Sequence, residues 1–281
     1  PWPGALTVWR SSDGTGFQPL RVVPAPAVIG VTLDDLAGGP VGRWDRGGAF
    51  RVQLAGGALA SQSDIRVFDG ANAAALRNPD GRWEVMQFAR AELVGPRTYR
   101  LSRLLRGQGG SDEAMAEQLP AGQPFVLLDA QLLPLAQGAE ALERPVSLRI
   151  AAASRSHDDV MATALTLVPQ PTALRPLSPV HLRAVRDGDG IHLAWIRRTR
   201  IDGDSWAGEV PLGEDTEAYA LDILSNGAVV RSLTVGTPQA LYASADEIAD
   251  FGAPQSELRV RLAQLSRSVG AGFAAEATLA V

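Results

Sequence analysis

Glycine and proline, 29 and 19 of them among 281 residues, recur between short apolar runs along the whole chain. Proline has no N–H to give to a ladder and glycine accepts positive φ, so each marks a place where a strand stops or turns. The runs between them alternate. Phe50, Val52 and Leu54 are separated by Arg51 and Gln53, and Tyr99 and Leu101 by Arg100 and Ser102. Leu182 and Ala184 alternate with His181, Arg183 and Val185, as Ile191, Leu193 and Trp195 do with His192 and Ala194. Period two is the signature of a strand with one buried face. Many such strands at close spacing predict an all-β chain of sandwich or barrel type.

In order, the sequence predicts strands over residues 5–10, 17–23 and 27–33, then around Phe50–Leu54 and a short one over Ile65–Phe68. Asn78-Pro79-Asp80-Gly81 has the residues of a tight turn. It precedes a hairpin whose arms, 83–94 and 98–105, are broken at Gly95-Pro96. Ser111, followed by Asp112 and Glu113, predicts one short helix that Pro120 and Gly122 stop, and 124–129 returns as a strand. Residues 146–150 and 162–168 are expected to close this first domain. Pro169, Pro171, Pro176 and Pro179 mark a stiff linker. The expected division is therefore a β-rich domain over 1–168, a linker over 169–179 and a second domain over 180–281. In the second, Asp187-Gly188-Asp189-Gly190 turns a hairpin that puts Leu182, Ala184, Ile191, Leu193 and Trp195 on one face. Tyr219–Leu224, Val229–Val235, Gln239–Ala243, Leu258–Leu265 and Phe273–Val281 supply five more strands. Seven strands with a tryptophan on the second resemble a fibronectin type III module. Leu258 stands where that family usually carries the tyrosine of its corner hydrogen bond.

Composition narrows the function. All 26 basic residues are arginine, in keeping with a GC-rich coding sequence, and the net charge of -5 argues against a general nucleic-acid binder. With no cysteine, disulfides and thiolate metal sites are excluded. No apolar run approaches the ~20 residues of a membrane span. Pro1-Trp2-Pro3-Gly4 reads as the cut end of a longer polypeptide, an expectation drawn from the lack of an initiator Met or a basic leader.

The run GANAAALRN followed by WEVMQFARAELVGPRTYRLSRLLRGQGGSDEAM, within Phe68–Leu128, resembles the C-terminal part of the large host-specificity (megatron-type) tail proteins of gene transfer agents and related siphophages. WIRRTRIDGDSW, Trp195–Trp206, resembles the same proteins, in the same order. The resemblance implies a structural role at a tail tip or baseplate. It also implies homo-oligomeric assembly as a trimer, other tail proteins as partners, and contact with the host envelope and its polysaccharide. In that family a TIM barrel related to glycosidases lies elsewhere in the polypeptide, and no β/α alternation occurs in this chain.

Chemistry-bearing residues are sparse. His181 and His192 are expected to face outward on their strands, without the converging ligands that zinc needs. A Ser154/His157/Asp158 triad can be written down, but triads are defined by geometry and not by closeness in sequence. Asp187-Gly188-Asp189-Gly190 and Asp202-Gly203-Asp204 lack the ligand spacing of a calcium loop. Gly107-Gln108-Gly109-Gly110 lacks the lysine of a phosphate loop. Asp34-Asp35, Asp158-Asp159 and Asp246-Glu247 are adjacent pairs, and nothing in the sequence brings them together across a glycosidase cleft. Trp2, Trp9, Trp44 and Trp206 are assigned to no core. Arg197, Arg198, Arg200, Asp202, Asp204 and Trp206 are the candidate interface or receptor contacts, since arginine and tryptophan are enriched at interfaces. No cofactor, metal or catalytic residue is expected.

Overall fold

The computed structural model describes residue 2 and residues 4–136, 138–203 and 210–281. The chain is all-β and divides into two compact units, Pro1–Gln170 and Pro171–Val281.

The first unit runs β1 (Leu6–Ser11), β2 (Gln18–Val23), β3 (Ile29–Thr32), β4 (Leu36–Ala37), β5 (Trp44–Leu54), α1 (Asp64–Phe68) and β6 (Ala73–Arg77). It continues with β7 (Trp83–Gly95), β8 (Thr98–Leu105), β9 (Gln118–Leu119), β10 (Pro124–Leu127), β11 (Val146–Ala152) and β12 (Thr163–Leu167). Six of these strands close a barrel in the order β10-β3-β5-β8-β7-β6, every pair antiparallel. The alternation in the sequence decides what fills it. Phe50, Val52, Leu54, Leu76, Met86, Phe88, Leu101, Leu104 and Phe125 point inward and are buried together. Bulges between Asp45 and Ala49 and between Leu93 and Gly95 interrupt the register and help the long strands bend.

β11 and β12, expected to close this domain, do not join the barrel. They pair with the N-terminal hairpin in a separate sheet, β12-β11-β1-β2, over Val8, Val146 and Leu148. The barrel is closed by β6 against β10.

Two further expectations are corrected. Ile65–Phe68 is not a strand but the body of α1, whose N-cap Ser63 accepts from the Arg66 amide. Only Val67 of its side chains is fully buried, while Ile65 and Phe68 stay exposed. The helix expected after Ser111 is a kinked 3-10 segment over Gln108–Ala114. Gly107, Gly109 and Gly110 all hold positive φ, and Ser111 spends its hydroxyl on β7, accepting from the Val85 amide at 2.7 Å. With that oxygen engaged elsewhere, no α-helical cap forms.

One charged pair is buried at the ends of β7 and β8. Arg106, wholly inaccessible, forks onto Glu84 with Nε and Nη2 at 2.6 and 2.7 Å. Its Nη1 donates to the Ala37 carbonyl at 2.9 Å, and the Gly107 amide donates to Glu84 at 3.2 Å. Four donors thus satisfy two charges that would otherwise be strongly unfavourable in an apolar interior.

The second unit comprises β13 (Val180–Arg186), β14 (Gly190–Ile196), β15 (Tyr219–Ser225), β16 (Ala228–Val235), β17 (Gln239–Ala243), α2 (Ser244–Phe251), β18 (Glu257–Ser266), β19 (Gly270–Ala271) and β20 (Ala275–Ala280). Sheet β13-β14-β17 faces a second sheet in which β15 lies between β16 and β18, and β18 also pairs β19 and β20. This is a fibronectin type III-like sandwich, with β19 as a two-residue addition to the seven strands expected. Leu182, Ala184, Ile191, Leu193 and Trp195 do share the inner face, against Tyr219, Leu221, Leu258, Val260 and Leu262. Leu258, fully buried, makes no corner hydrogen bond; the core tyrosines bond locally, Tyr219 to Glu217 and Tyr242 to Asp250, each at 2.7 Å.

At the hairpin turn Gly190 has φ +152°, and a Cβ there would collide with the Tyr242 carbonyl of β17. Gly190→Ala is expected to destabilise the sandwich by about 1–3 kcal/mol, because the strand pairing must shift to admit one carbon. A denaturant titration of the variant measures it.

α2 was not expected from the sequence; its N-cap is Ala243, with no side-chain cap bond, and Gly252 sits at the left-handed position after its end. Arg186 follows Ala184 on the inner side of β13 and reaches Glu247, which is 1 % exposed, with contacts of 2.7 and 2.8 Å. Arg231 holds Asp246 and Asp250 from β16. Hydrogen bonds from Arg186, above all, keep the Glu247 carboxyl below its ordinary 4.5, helped by the Gln255 amide. A carboxyl whose folded pKa is depressed stabilises the fold above its unfolded pKa and loses that contribution as pH falls through the folded one. The stability of the sandwich is therefore expected to drop below about pH 4.5, and Arg186→Met should remove much of this acid-dependent part. Melting temperatures recorded from pH 7 to 3 test it; identical slopes for both proteins would contradict it.

Candidate functional site

The sequence-predicted contacts follow β14, and the structure gives most of them partners within the chain. Arg197 bonds Glu217 at 3.3 Å and the Val210 carbonyl at 2.6 Å. Arg198 reaches Ser178 at 3.5 Å, and Arg200 bonds Glu214 at 2.9 Å. Arg197 and Arg200 brace the connection between β14 and β15 from within, and Arg198 ties it to the segment before β13, which limits what they can offer a partner. Asp202 is exposed with φ +48°, a turn conformation. Asp204 and Trp206 lie outside the described residues.

The remaining candidates separate too. His192 is half exposed and contacts Asp187, the first aspartate of the hairpin turn, at 2.7 Å. His181 is exposed at a bulge of β13 with φ +56°. His157 packs on aromatic rings, stacked on Phe17 at 5.3 Å and edge-on to Trp9 at 6.2 Å, while its neighbour Asp158 takes the hydroxyl of Ser156. Among the described residues Ser154 and His157 form no hydrogen bond, so the written triad is not assembled. Trp44 is half buried between Phe68 and the Arg103 guanidinium, 4.6 Å from its ring centre, and Trp2 is exposed. Asp34 takes a bidentate hold on Arg51 and Asp35 accepts from the Ala121 amide, so this adjacent pair is divided between two structural tasks. Among the described residues no three histidines or carboxylates gather as a metal would require, and no helix is long and apolar enough to cross a membrane.

What the sequence did not indicate is a cleft on the outside of the barrel, lined by Arg46, Gly47, Gly48, Ala49, Arg90, Arg100, Ser102 and Arg103, with a volume of about 260 Å³. The β5 bulge makes it. Asp45 turns inward and accepts from the Gly47 and Gly48 amides at 3.1 and 2.8 Å, and a Cβ on Gly48 would overlap that carboxylate. Beyond the bulge, Ala49 pairs with Ser102, and Ser102 with Arg90. Cross-strand partners share a face, so two small side chains form a low floor beside arginine walls. Arg103, at φ +56°, pairs in a fork with Asp64 from α1. That fork keeps the Asp64 carboxyl below its usual range, and Arg46 and Arg90 add to the effect from nearby. Arg46, Arg90 and Arg100 are exposed and form no hydrogen bond or ion pair with the described residues. Glu92 stands opposite Arg100 on β7.

A family model described as "Rcc01698-like, C-terminal" matches residues 27–126. No curated protein matches the chain. Among solved structures, domains d3–d4 of the rat CD45 extracellular region are similar at a TM-score of 0.28 and 9 % identity, over 55 % of this chain and 72 % of that one.

Proposed function

We propose that the chain is a structural component of a phage-like tail tip or baseplate, of the kind carried by gene transfer agents, where it serves assembly and attachment to or penetration of the host envelope. The observation that carries this reading is a coincidence of boundaries. The family match begins at residue 27 and ends at 126, while the barrel strands begin at Ile29 and end at Leu127. The matched segment is thus one complete folding module. The order of that module and a fibronectin-type sandwich agrees with the tail proteins that Phe68–Leu128 and Trp195–Trp206 resemble. In this role the chain works by contact and not by catalysis. Its partners are other tail proteins, further copies of itself in a trimer, and the envelope polysaccharide, and its place is the distal end of the released particle.

Deleting residues 27–126 in a bacterium that makes such particles tests the reading. The expected product is particles whose tails lack distal density in electron micrographs and which no longer deliver DNA. Normal tails with full delivery would overturn it. The alternative, a glycan- or receptor-binding module, is separated by incubating the chain with purified envelope polysaccharide and following glycan size. Binding without shortening favours the receptor role, and shortening favours a hydrolase.

A further inference from the structure

We propose that the arginine-lined cleft over β5, β8 and β7 is a binding site for a small ligand bearing a phosphomonoester or diphosphate group. Four arginines line one recess, and among the described residues only Arg103 of the four has a bonded carboxylate, Asp64. Even with Asp45, Asp64 and Glu92 beside them, four arginines leave a local excess of positive charge, which an entering anion offsets. Arginine presents a planar fork of donors that matches oxyanion geometry, and bonds between two charged groups are about twice as strong as neutral ones. The floor is suited to the same ligand. Ala49, Gly47 and Gly48 leave space, and the Ser102 hydroxyl, with no hydrogen bond to the described residues, is free to donate. About 260 Å³ lies just below the ~300 Å³ at which pockets for organic ligands begin, which suits a phosphate with one attached ring or a diphosphate alone. Glu92, opposite Arg100, bars one side to further negative charge and favours a compact anion over a continuous polyanionic strand. This assignment rests on the cleft's own chemistry and holds whether or not the chain acts at a tail tip.

Calorimetric titration of the full chain at low salt, with inorganic pyrophosphate and with glucose 6-phosphate, tests it. Saturable binding is expected, weakened about tenfold by Arg90→Gln or Arg100→Gln and more in the double variant. Ser102→Glu, which places a carboxylate on the floor, should abolish it. Arg183→Gln, an exposed arginine on β13, should leave it unchanged. All these positions are on strand surfaces, and melting curves verify that the variants fold. Tighter binding of the sugar phosphate identifies a glycan-borne group, tighter binding of pyrophosphate a free anion, and either supports the site. Absence of saturable binding, or binding that the cleft variants leave intact, would overturn it.

Discussion

Arg106→Met is expected to destabilise the barrel by about 3–5 kcal/mol, the range found when one partner of a buried ion pair is removed and the other is left behind. Methionine fills much of the volume, so the loss is electrostatic. Glu84, itself 3 % exposed, would keep only the Gly107 amide of its present donors, and the Ala37 carbonyl would lose Nη1. Urea-dependent hydrogen exchange of peptides from β5, β7 and β8 reads the effect in the barrel itself. The companion experiment is the double variant with Glu84→Leu. Replacing both charges by apolar groups of similar size is often close to neutral, so the double variant should recover a large part of the loss. A single-variant effect below about 1 kcal/mol would show the pair to be dispensable.

Trp195→Ala should cost the sandwich about 3–5 kcal/mol, as large-to-small changes of buried aromatics do. Trp195 is 6 % exposed and meets Tyr219 edge to face, centroids 5.1 Å apart, so the change removes an aromatic pair and leaves a cavity between the two sheets. Trp195→Phe keeps a ring at the site and should lose much less. Denaturant unfolding followed by exchange of the β14 and β15 peptides gives both values. Equal losses for alanine and phenylalanine would mean that the indole specifically, and not a buried aromatic ring as such, carries the energy.

The sequence was most informative where one face of a strand is buried and the other wet. Period two at Phe50–Leu54, Tyr99–Ser102 and Ile191–Trp195 assigns the correct inward side chains, because register errors would expose the whole apolar set. It was least informative for short apolar runs. Ile65–Phe68 has the length of a strand, and the deciding residue was Ser63, which precedes the run and caps it as helix. At Ser111 the same residue type misled, since its hydroxyl serves a strand 26 positions away. The recess between Arg46, Arg90, Arg100 and Arg103 was beyond sequence reasoning for a related cause. Those residues become neighbours only through the register of three strands and a bulge of β5, neither of which local pattern records. Arg197 and Arg200 stood out as a basic run, while the Glu217 and Glu214 that occupy them come from the far end of the same connection.

The barrel is threaded between the hairpin of β1 with β2 and the strands β11 and β12 that complete their sheet. During synthesis β1 emerges before the barrel, yet its second neighbour, β11, follows about seven seconds or more later at ribosomal speeds of 5–20 residues per second. By then Leu127 has left the ribosome and every barrel strand is present. The inner module can therefore close while the outer sheet is still half made, and it brings the two halves of that sheet within reach of each other. Vectorial synthesis thus permits folding from the inside outward, in which case a defect that delays the barrel would leave the β1–β2 hairpin waiting with an open edge.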